Sequence, residues 1–144
     1  MDHPTKKTIA VGAAAILENG KILLCRRASG EWKGCWEFPG GKLEAGETAA
    51  QAVEREIREE LCLQVSAGER LCLVEMEYPA FYLSMEVYIC KITGGTMNLL
   101  EHAEARFIAL DEIDDLPLCP ADVKAASCLL AHEGFVSKEQ ASCS

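Results

Sequence analysis

The chain has 144 residues, of which 49% are hydrophobic and 26% are charged, as is typical of one globular domain with a sizeable core. Its formal net charge of −9 argues against a nucleic acid polymer as a partner, because such partners normally require a basic surface. The sequence has neither an apolar run of transmembrane length nor a charged-then-apolar leader, so we expect a cytoplasmic protein without membrane partners.

The N-terminal part of the chain predicts a β-hairpin followed by a loop and a short strand. Residues 8–17 and 21–26 are rich in Ile, Val, Leu and Ala, and the Asn-Gly pair at 19–20 between them favours a tight turn. Residues 28–35 have the composition of a loop. Residues 36–38, Trp-Glu-Phe, then predict a short strand that ends at a Pro-Gly-Gly turn.

An amphipathic helix is predicted for residues 48–61, with Thr48 as its N-cap. The apolar positions that would hold this helix to the core lie at helical spacing and are Ala50, Val53, Ile57 and Leu61. Glu56, Glu59 and Glu60 occupy the neighbouring face, because residues at i, i+3 and i+4 are adjacent on a helix.

This clustering of carboxylates has two interpretations. Like charges at this spacing cost about 0.2–0.5 kcal/mol per pair, and a hard divalent cation, which prefers carboxylate oxygens, would remove that cost. The simpler interpretation is a solvated face on which Glu54–Arg58 and Arg55–Glu59 form ordinary ion pairs.

The rest of the chain alternates between strands and loops and ends in a second helix. The predicted elements are strands at 64–66, 71–78, 81–92 and 106–110, a loop at 93–103, and a helix at 120–133 that ends at Gly134. Together they predict an α/β fold in a single domain over residues 1–144, with flexible tails at about 1–7 and 136–144.

The eight cysteines show no C-x2-C or C-x4-C spacing, so the sequence offers no zinc site. Several stand inside apolar runs such as ILLC, LCLV and VYIC, where a thiol behaves as a small hydrophobic side chain. We therefore expect buried, reduced thiols, which cytosolic redox conditions favour.

The acidic helix and the turn before it carry a longer pattern. The segment that starts at Gly41 resembles the Nudix box, G-x5-E-x7-R-E-U-x-E-E-x-G-U, in which U is aliphatic. The matching residues are Gly41, Glu47, Arg55, Glu56, Ile57, Glu59, Glu60 and Leu63. Cys62 departs from the pattern, because the family usually has glycine there, where a left-handed backbone often follows the helix.

The resemblance implies a Nudix-type α/β/α sandwich with a mixed sheet, and a hydrolase of phosphorus-containing acid anhydrides that depends on Mg²⁺ or Mn²⁺. It implies that Glu56, Glu59 and Glu60 are metal ligands. The backbone carbonyl of Gly40 is the additional ligand that the family suggests, and glycine allows such a close approach of the backbone.

Two further residues of the box are expected to support these ligands. Arg55 would orient the carboxylates through bidentate hydrogen bonds, and the alternative is an ordinary surface pair with Glu59. Glu47 is expected to be a capping or supporting group rather than a direct ligand.

The general base in Nudix enzymes is often a glutamate outside the box, on a loop before the last strand. Glu101 and Glu104 both lie in that region of this chain. We prefer Glu101 as the base, because Glu104 lies closer to the strand and can pair with Arg106. Glu56 is the alternative base, and His102 is expected to be a solvated loop residue.

The residues around the box resemble the MutT-type branch, which cleaves nucleoside triphosphates to monophosphate and pyrophosphate. The segments that carry this resemblance are LLCRR at 23–27, WEFPGG at 36–41 and LCPAD at 118–122. The branch places Asn or Asp where Asp122 stands, and a carboxylate there would accept hydrogen bonds from the base of 8-oxo-dGTP or (d)CTP. Phe38 would pack on the base or sugar, and Arg27 would contact phosphate.

Each of these substrate assignments has a structural alternative. Phe38 also suits the core, Arg27 a charged surface, and Asp122 the N-cap of the last helix. The aromatic residues at 78–82 would line the same pocket or simply fill the core.

Two other functions stay open at this stage. One is hydrolysis of another nucleoside diphosphate derivative, such as ADP-ribose, by enzymes that often carry further acids outside the box. The other is a non-catalytic nucleotide-binding module, although such domains commonly lose box carboxylates that are all present here. The partner is a small nucleotide in each case, and the sequence leaves both a monomer and a homodimer open.

Overall fold

Seven strands and two α-helices dominate the part of the chain that a computed structural model describes, residues 6–134. In chain order the elements are β1 (Lys7–Glu18), β2 (Lys21–Arg27), β3 (Trp36–Glu37), β4 (Gly40–Lys42), α1 (Ala49–Leu61), β5 (Leu63–Glu77), β6 (Phe81–Gly95), β7 (His102–Ala109), a 3-10 helix (Leu110–Asp115) and α2 (Pro120–His132). None of the described helices is both long and apolar enough to cross a bilayer. The predicted tail at 136–144, and all but the last two residues of the one at 1–7, lie outside the described residues.

The strands form one mixed sheet in the order β3-β2-β1-β6-β5, with β4 paired to β1 and β7 paired to β2. β1 runs parallel to β6, whereas the other strand pairs are antiparallel. Asn19 and Gly20, with φ angles of 53° and 73°, form the tight turn between β1 and β2. The predicted hairpin is confirmed.

Two apolar cores lie on opposite faces of this sheet, because successive residues of a strand point to opposite sides. On β1, Ala13 and Ala15 belong to the core under α2, whereas Ala14 and Ile16 belong to the core under α1. The helices contribute the apolar residues Val53, Ile57 and Leu61 from α1, and Ala125, Ala126 and Leu129 from α2. This arrangement is the α/β/α sandwich with a mixed sheet that the sequence predicts.

Both ends of α1 follow the local signals in the sequence. Thr48 is the N-cap: its Oγ1 accepts from the Gln51 N–H at 3.1 Å, and the Gln51 Oε1 accepts from the Thr48 N–H at 2.9 Å. Cys62 ends the helix in the left-handed region with φ of 59°, and its N–H donates to the Arg58 carbonyl at 3.1 Å. Cys62 therefore adopts the backbone conformation that a glycine of the box would provide.

The long strands extend further than the sequence predicts. The strands expected at 64–66 and 71–78 are one strand, β5, because the chain pairs with β6 on both sides of an irregularity in register between Ala67 and Cys72. The bounds predicted for the loop at 93–103 were wrong at both ends, because β6 continues to Gly95 and β7 already begins at His102.

Three shorter features were also predicted incorrectly or not at all. Gly40–Lys42 pairs with β1 as a strand rather than forming a turn. The 3-10 helix at Leu110–Asp115 was not expected. The N-cap of α2 is Cys119, followed by Pro120, so the alternative role of Asp122 as the N-cap was wrong.

Replacing Cys62 by glycine should stabilise the protein, because a non-glycine residue in the left-handed region costs about 1–2 kcal/mol. We expect Cys62→Gly to raise the free energy of unfolding by roughly 1 kcal/mol in urea denaturation, since glycine loses part of that gain to backbone entropy. Cys62→Ala keeps the strained backbone and controls for the lost thiol. A glycine variant no more stable than the alanine variant would contradict this account.

Candidate active site

The carboxylate of Glu56 on α1 lies against the backbone of β4, and two glycines of that strand allow the close packing around it. A Cβ atom at Gly41 would come within 2.5 Å of the carboxyl carbon of Glu56. A Cβ atom at Gly40 would lie 2.0 Å from the carbonyl oxygen of Gly12 in β1. A side chain at Gly41 would therefore separate Glu56 from the strand, whereas a side chain at Gly40 would push β4 away from β1.

Glu60 is the most deeply placed carboxylate of the cluster. Glu60 is only 6% exposed, and its Oε2 has no hydrogen-bond partner within the described residues. Burial, followed by the hydrogen bond and the charge of Glu56, raises the pKa of Glu60 to about 9. Buried carboxylate oxygens without partners are a donor set that suits a hard divalent cation, so these residues fit Mg²⁺ or Mn²⁺.

Arg55 connects the carboxylate cluster to the loop that precedes the helix. Its Nε and Nη2 donate to both oxygens of Glu47 at 2.7 and 2.9 Å, and its Nη2 also donates to the Lys42 carbonyl at 3.0 Å. Its Nη1 donates to Glu56 at 2.8 Å and to Glu59 at 3.0 Å. Arg55 thus makes the contacts that were expected to orient the carboxylates, and it also makes the ion pair with Glu59 that was the alternative interpretation.

Glu47 has the supporting position that the sequence suggests. The hydrogen bonds from Arg55 and from the Glu44 N–H, at 2.9 Å, lower the pKa of Glu47 to about 2. Glu47 is therefore ionised over the working pH range and is engaged by a guanidinium. Glu56 and Glu59 share the remaining nitrogen of that guanidinium, and the side chain of Glu59 is 56% exposed.

A second group of charged residues lies on β2, β3 and β7; the sequence predicted a role for Arg27 but not for Glu37. His102 was predicted to be a solvated loop residue, and this was wrong: its side chain is 7% exposed and its Nε2 lies 2.8 Å from the Glu37 Oε2. Arg27 donates to the other oxygen of Glu37 at 2.9 Å. Burial acts to raise the pKa of Glu37, but the hydrogen bonds from His102 and Arg27 outweigh it and hold that pKa below its usual value.

One signal in the sequence could have identified Glu37. It stands between Trp36 and Phe38, which are 4% and 3% exposed. Because alternate residues of a strand point to opposite faces, a charged residue between two core aromatics points away from that core. For His102 no comparable local signal exists, since its burial depends on pairing between β7 and β2.

A cleft of about 400 Å³ separates these two groups of residues. The residues that line it are Arg27, Ala28, Ser29, Glu37, Gly40, Glu60, Glu101 and His102. The structure thus brings Glu101 to the same cleft as Glu60 and Gly40, and the charge of Glu101 contributes to the raised pKa of Glu60. Glu104 instead forms ion pairs with Arg106 and, at 3.3 Å, with Arg26.

A larger cleft of about 620 Å³ adjoins the first and shares Arg27, Glu37 and Gly40 with it. Its walls include Phe38 and the stacked rings of Tyr78 and Phe81, whose centroids are 4.9 Å apart. The aromatic residues at 78–82 were expected either to line this pocket or to fill the core; Tyr78 and Phe81 line it, whereas Tyr82 does not line it and is 41% exposed.

Asp122 is a buried acidic residue that lines the larger cleft. It is 5% exposed, and its Oδ1 accepts from the Phe38 N–H at 2.9 Å. Burial raises the pKa of Asp122 to about 8, although that hydrogen bond acts in the opposite direction. Phe38 itself is in the core under α2 and also lines the cleft, so the two interpretations of this residue are compatible.

Glu37, Cys119 and Asp122 also form a cluster whose potential ligand atoms lie within 4.8 Å of one another. Both oxygens of Glu37 and one oxygen of Asp122 already accept hydrogen bonds from other residues. Of the two groups of potential metal ligands in the described residues, the group on α1 is therefore the one with a buried carboxylate oxygen that lacks a hydrogen-bond partner, the Oε2 of Glu60.

Comparison with known proteins identifies the class to which this fold and site belong. A protein-family model described as "NUDIX domain" matches residues 6–128 of the chain. The chain is 35% identical over 126 residues to a CTP pyrophosphohydrolase of Escherichia coli (strain K12), covering 87% of this chain and 93% of that protein. It is 34% identical over 128 residues to an 8-oxo-dGTP diphosphatase of Haemophilus influenzae, again covering 87% and 93%.

Solved structures agree with this result. A crystal structure of a MutT Nudix hydrolase from Burkholderia pseudomallei is similar with a TM-score of 0.75 and 32% identity, covering 85% of this chain and 98% of that one. The chain therefore belongs to the Nudix family. Within it, the chain is a MutT-like hydrolase, and the family generally uses a divalent metal.

Without divalent cations, Glu60→Gln should stabilise the folded protein at alkaline pH. Because burial raises the pKa of Glu60 from 4.5 to about 9, the unfolded chain releases a proton that the folded chain retains, so stability falls as pH rises between these values. The glutamine variant should lack this loss and melt a few degrees higher at pH 8 in EDTA.

Glu59→Gln is the matched control, because the side chain of Glu59 is 56% exposed and its replacement should change the melting temperature little. Mg²⁺ should then raise the melting temperature of the wild type more than that of Glu60→Gln. Equal stabilisation of both proteins by Mg²⁺ would contradict a metal site at Glu60.

Proposed function

We propose that the protein cleaves a (deoxy)nucleoside triphosphate to monophosphate and pyrophosphate with the help of Mg²⁺ or Mn²⁺, and that 8-oxo-dGTP or (d)CTP is its preferred substrate. The observation that carries this proposal is that a carboxylate-lined cleft adjoins an aromatic cleft, which Asp122 also lines. A triphosphate and its base would occupy these two spaces. Relatives named as a CTP pyrophosphohydrolase and an 8-oxo-dGTP diphosphatase support the choice of substrate.

The residues proposed to hold the metal are Glu56, Glu59, Glu60 and the carbonyl of Gly40. A bound cation would neutralise phosphate oxygens and activate the attacking water. Burial of Glu60 and the absence of a partner for its Oε2 within the described residues support its assignment. Arg55 keeps Glu56 and Glu59 aligned, and it is in turn held by Glu47.

Glu101 is proposed to accept the proton of the attacking water. It is exposed at the cleft that Glu60 and Gly40 also line, so it can reach a water between phosphate and carboxylates. Glu56 is the less favourable base, because its Oε1 is engaged by Arg55. Glu104 is less favourable still, because its hydrogen bond with Arg106 lowers its pKa.

Asp122 is proposed to read the base, in a protonation state that differs from the one assumed from sequence. With a pKa near 8 it carries a proton at neutral pH, so it can donate one hydrogen bond as well as accept others. Arg27 lies where the two clefts meet and is proposed to contact phosphate while it remains paired with Glu37. Phe38 offers its ring to the base or sugar.

The test of the function is a pyrophosphate-release assay across normal and oxidised (d)NTPs and ADP-ribose. We expect no turnover in chelator, recovery with Mg²⁺ or Mn²⁺, and a loss of several orders of magnitude for Glu60→Gln. Preference for ADP-ribose, with AMP as product, would show that the protein instead hydrolyses nucleoside diphosphate derivatives. Tight nucleotide binding without turnover would indicate the non-catalytic module.

The base assignment predicts that Glu101→Gln lowers kcat by about 10²–10⁴ while KM changes little. Glu104→Gln is the matched control and should stay within a few-fold of wild type, because Glu104 pairs with arginines outside the cleft. A large loss in the Glu104 variant would transfer the role to that residue. Small losses in both variants would make Glu56 the leading candidate.

The assignment of Asp122 predicts different results for two substitutions. Asp122→Ala removes the base contact and leaves the Phe38 N–H unpaired, so kcat/KM for 8-oxo-dGTP and dCTP should fall by about one to two decades, with reduced stability. Asp122→Asn retains a donor, an acceptor and the bond to Phe38, so its melting temperature and its activity should stay near those of wild type.

The nucleotide panel separates recognition from folding in these variants. dTTP should lose less than 8-oxo-dGTP or dCTP in Asp122→Ala, because a poorly accepted base makes less of the contact. An equal loss for every nucleotide would assign Asp122 a purely structural role. The cytoplasmic location and the choice between monomer and homodimer stay predictions from the sequence.

A further inference from the structure

An exposed tryptophan stands in the turn between β2 and β3, at the larger cleft. Of the large hydrophobic residues that are exposed in the described part of the chain, Trp32 is the one that lines this cleft, and it is 43% exposed. Trp32 belongs to neither apolar core, and its ring has no aromatic or cationic partner among residues 6–134. Its indole therefore makes no contribution to the packing of either core.

The turn holds Trp32 in place although the backbone conformation is unfavourable. Trp32 has a φ angle of 67°, in the left-handed region that bulky residues rarely occupy. Its carbonyl accepts from the Cys35 N–H at 2.9 Å, and the Arg27 carbonyl accepts from the Gly34 N–H at 3.0 Å. A strained conformation that its surroundings maintain is a feature of residues that bind ligands.

Trp32 is the most exposed of the aromatic residues that line the larger cleft. Phe38 is only 3% exposed, and Tyr78 and Phe81 are half-buried and stack on each other. The cleft volume of about 620 Å³ is within the range of sites for small organic ligands. The indole therefore offers a ring face to a planar ligand that enters this cleft.

We propose that Trp32 stacks on the base of the bound nucleotide and is a further determinant of substrate specificity. This inference rests on the proposed function, which places the base in the larger cleft. An aromatic side chain can stack on the face of any base, and one such contact typically contributes about five- to hundredfold in affinity. Because a purine covers more of the indole than a pyrimidine does, Trp32 would favour 8-oxo-dGTP and dGTP over dCTP.

Trp32 and Asp122 would recognise different features of the base. Hydrogen bonds of Asp122 lie in the plane of the base and depend on its edge, whereas stacking depends on the area of its face. Trp32 lines the larger cleft but not the smaller one, where Glu60 and Glu101 lie. Loss of its ring should therefore raise KM and leave kcat within a few-fold of wild type.

Tryptophan fluorescence of the full chain can report this contact directly. The chain has two tryptophans, and the other, Trp36, is only 4% exposed. Ligands are α,β-methylene analogues of dGTP and dCTP, which the proposed reaction cannot cleave, with inorganic tripolyphosphate as the control without a base. In Mg²⁺, both analogues should quench the emission after correction for their absorption, whereas tripolyphosphate should not.

Three variants separate stacking from the architecture of the turn. Trp32→Phe keeps a ring, so calorimetry should give affinities within a few-fold of wild type while the quenching disappears. Trp32→Ala should weaken binding by about five- to hundredfold, more for the dGTP analogue than for the dCTP analogue, without a lower melting temperature. Lys33→Ala is the matched control, because Lys33 is exposed in the same turn and lines neither cleft.

The outcomes distinguish this inference from the proposed function. Wild-type affinity for the analogues in Trp32→Ala, or binding without quenching in the wild type, would overturn the stacking role and leave the function intact. An equal loss for tripolyphosphate, with a lowered melting temperature, would show that Trp32 only supports the turn. Failure of the wild type to bind either analogue would overturn the proposed function, and the stacking role with it.

Discussion

The guanidinium of Arg55 is the contact on which the arrangement of the candidate active site depends. It joins the loop before α1 to the helix itself, because it binds Glu47 and the Lys42 carbonyl on one side and Glu56 and Glu59 on the other. A lysine would supply the charge but not the planar set of donors that reaches all these acceptors at once. The positions of the helix carboxylates therefore depend on one side chain with a fixed geometry.

Arg55 nevertheless leaves the site with an excess of negative charge. Glu60 lies beyond its reach, buried beside Glu56 with an oxygen that no described residue satisfies, and Glu101 adds a further charge at the same cleft. Such a site repels phosphate and attracts cations. Arg27 is the cation that faces the cleft from the opposite wall, and it is already paired with Glu37. Under the proposed function, a divalent ion would therefore have to bind before the phosphates or arrive with the nucleotide.

A structural feature could be predicted from the sequence where it depends on residues that are close together in the chain. The Asn-Gly turn and the Thr48 cap depend on residues within one turn of chain, and both were predicted, whereas the left-handed backbone at Cys62 was expected only of the glycine that the family usually has there. The strand at Gly40–Lys42 has no side-chain pattern and exists because β1 pairs with it. The burial of His102 likewise arises from pairing between distant strands, so no local pattern could have indicated it.

Residues 37–41 connect the two clefts. Glu37 lines both clefts, and the N–H of Phe38 donates to Asp122, which lines the larger one. Gly40 lines both clefts, and Gly41 is pressed against Glu56. Because these contacts lie on neighbouring residues, a backbone shift that improved the fit of a base in the larger cleft would also move Gly40 and Gly41 relative to Glu56. Under the proposed function, selectivity for a base and the rate of cleavage would therefore be coupled through this segment, and a substitution at either end of it should affect both.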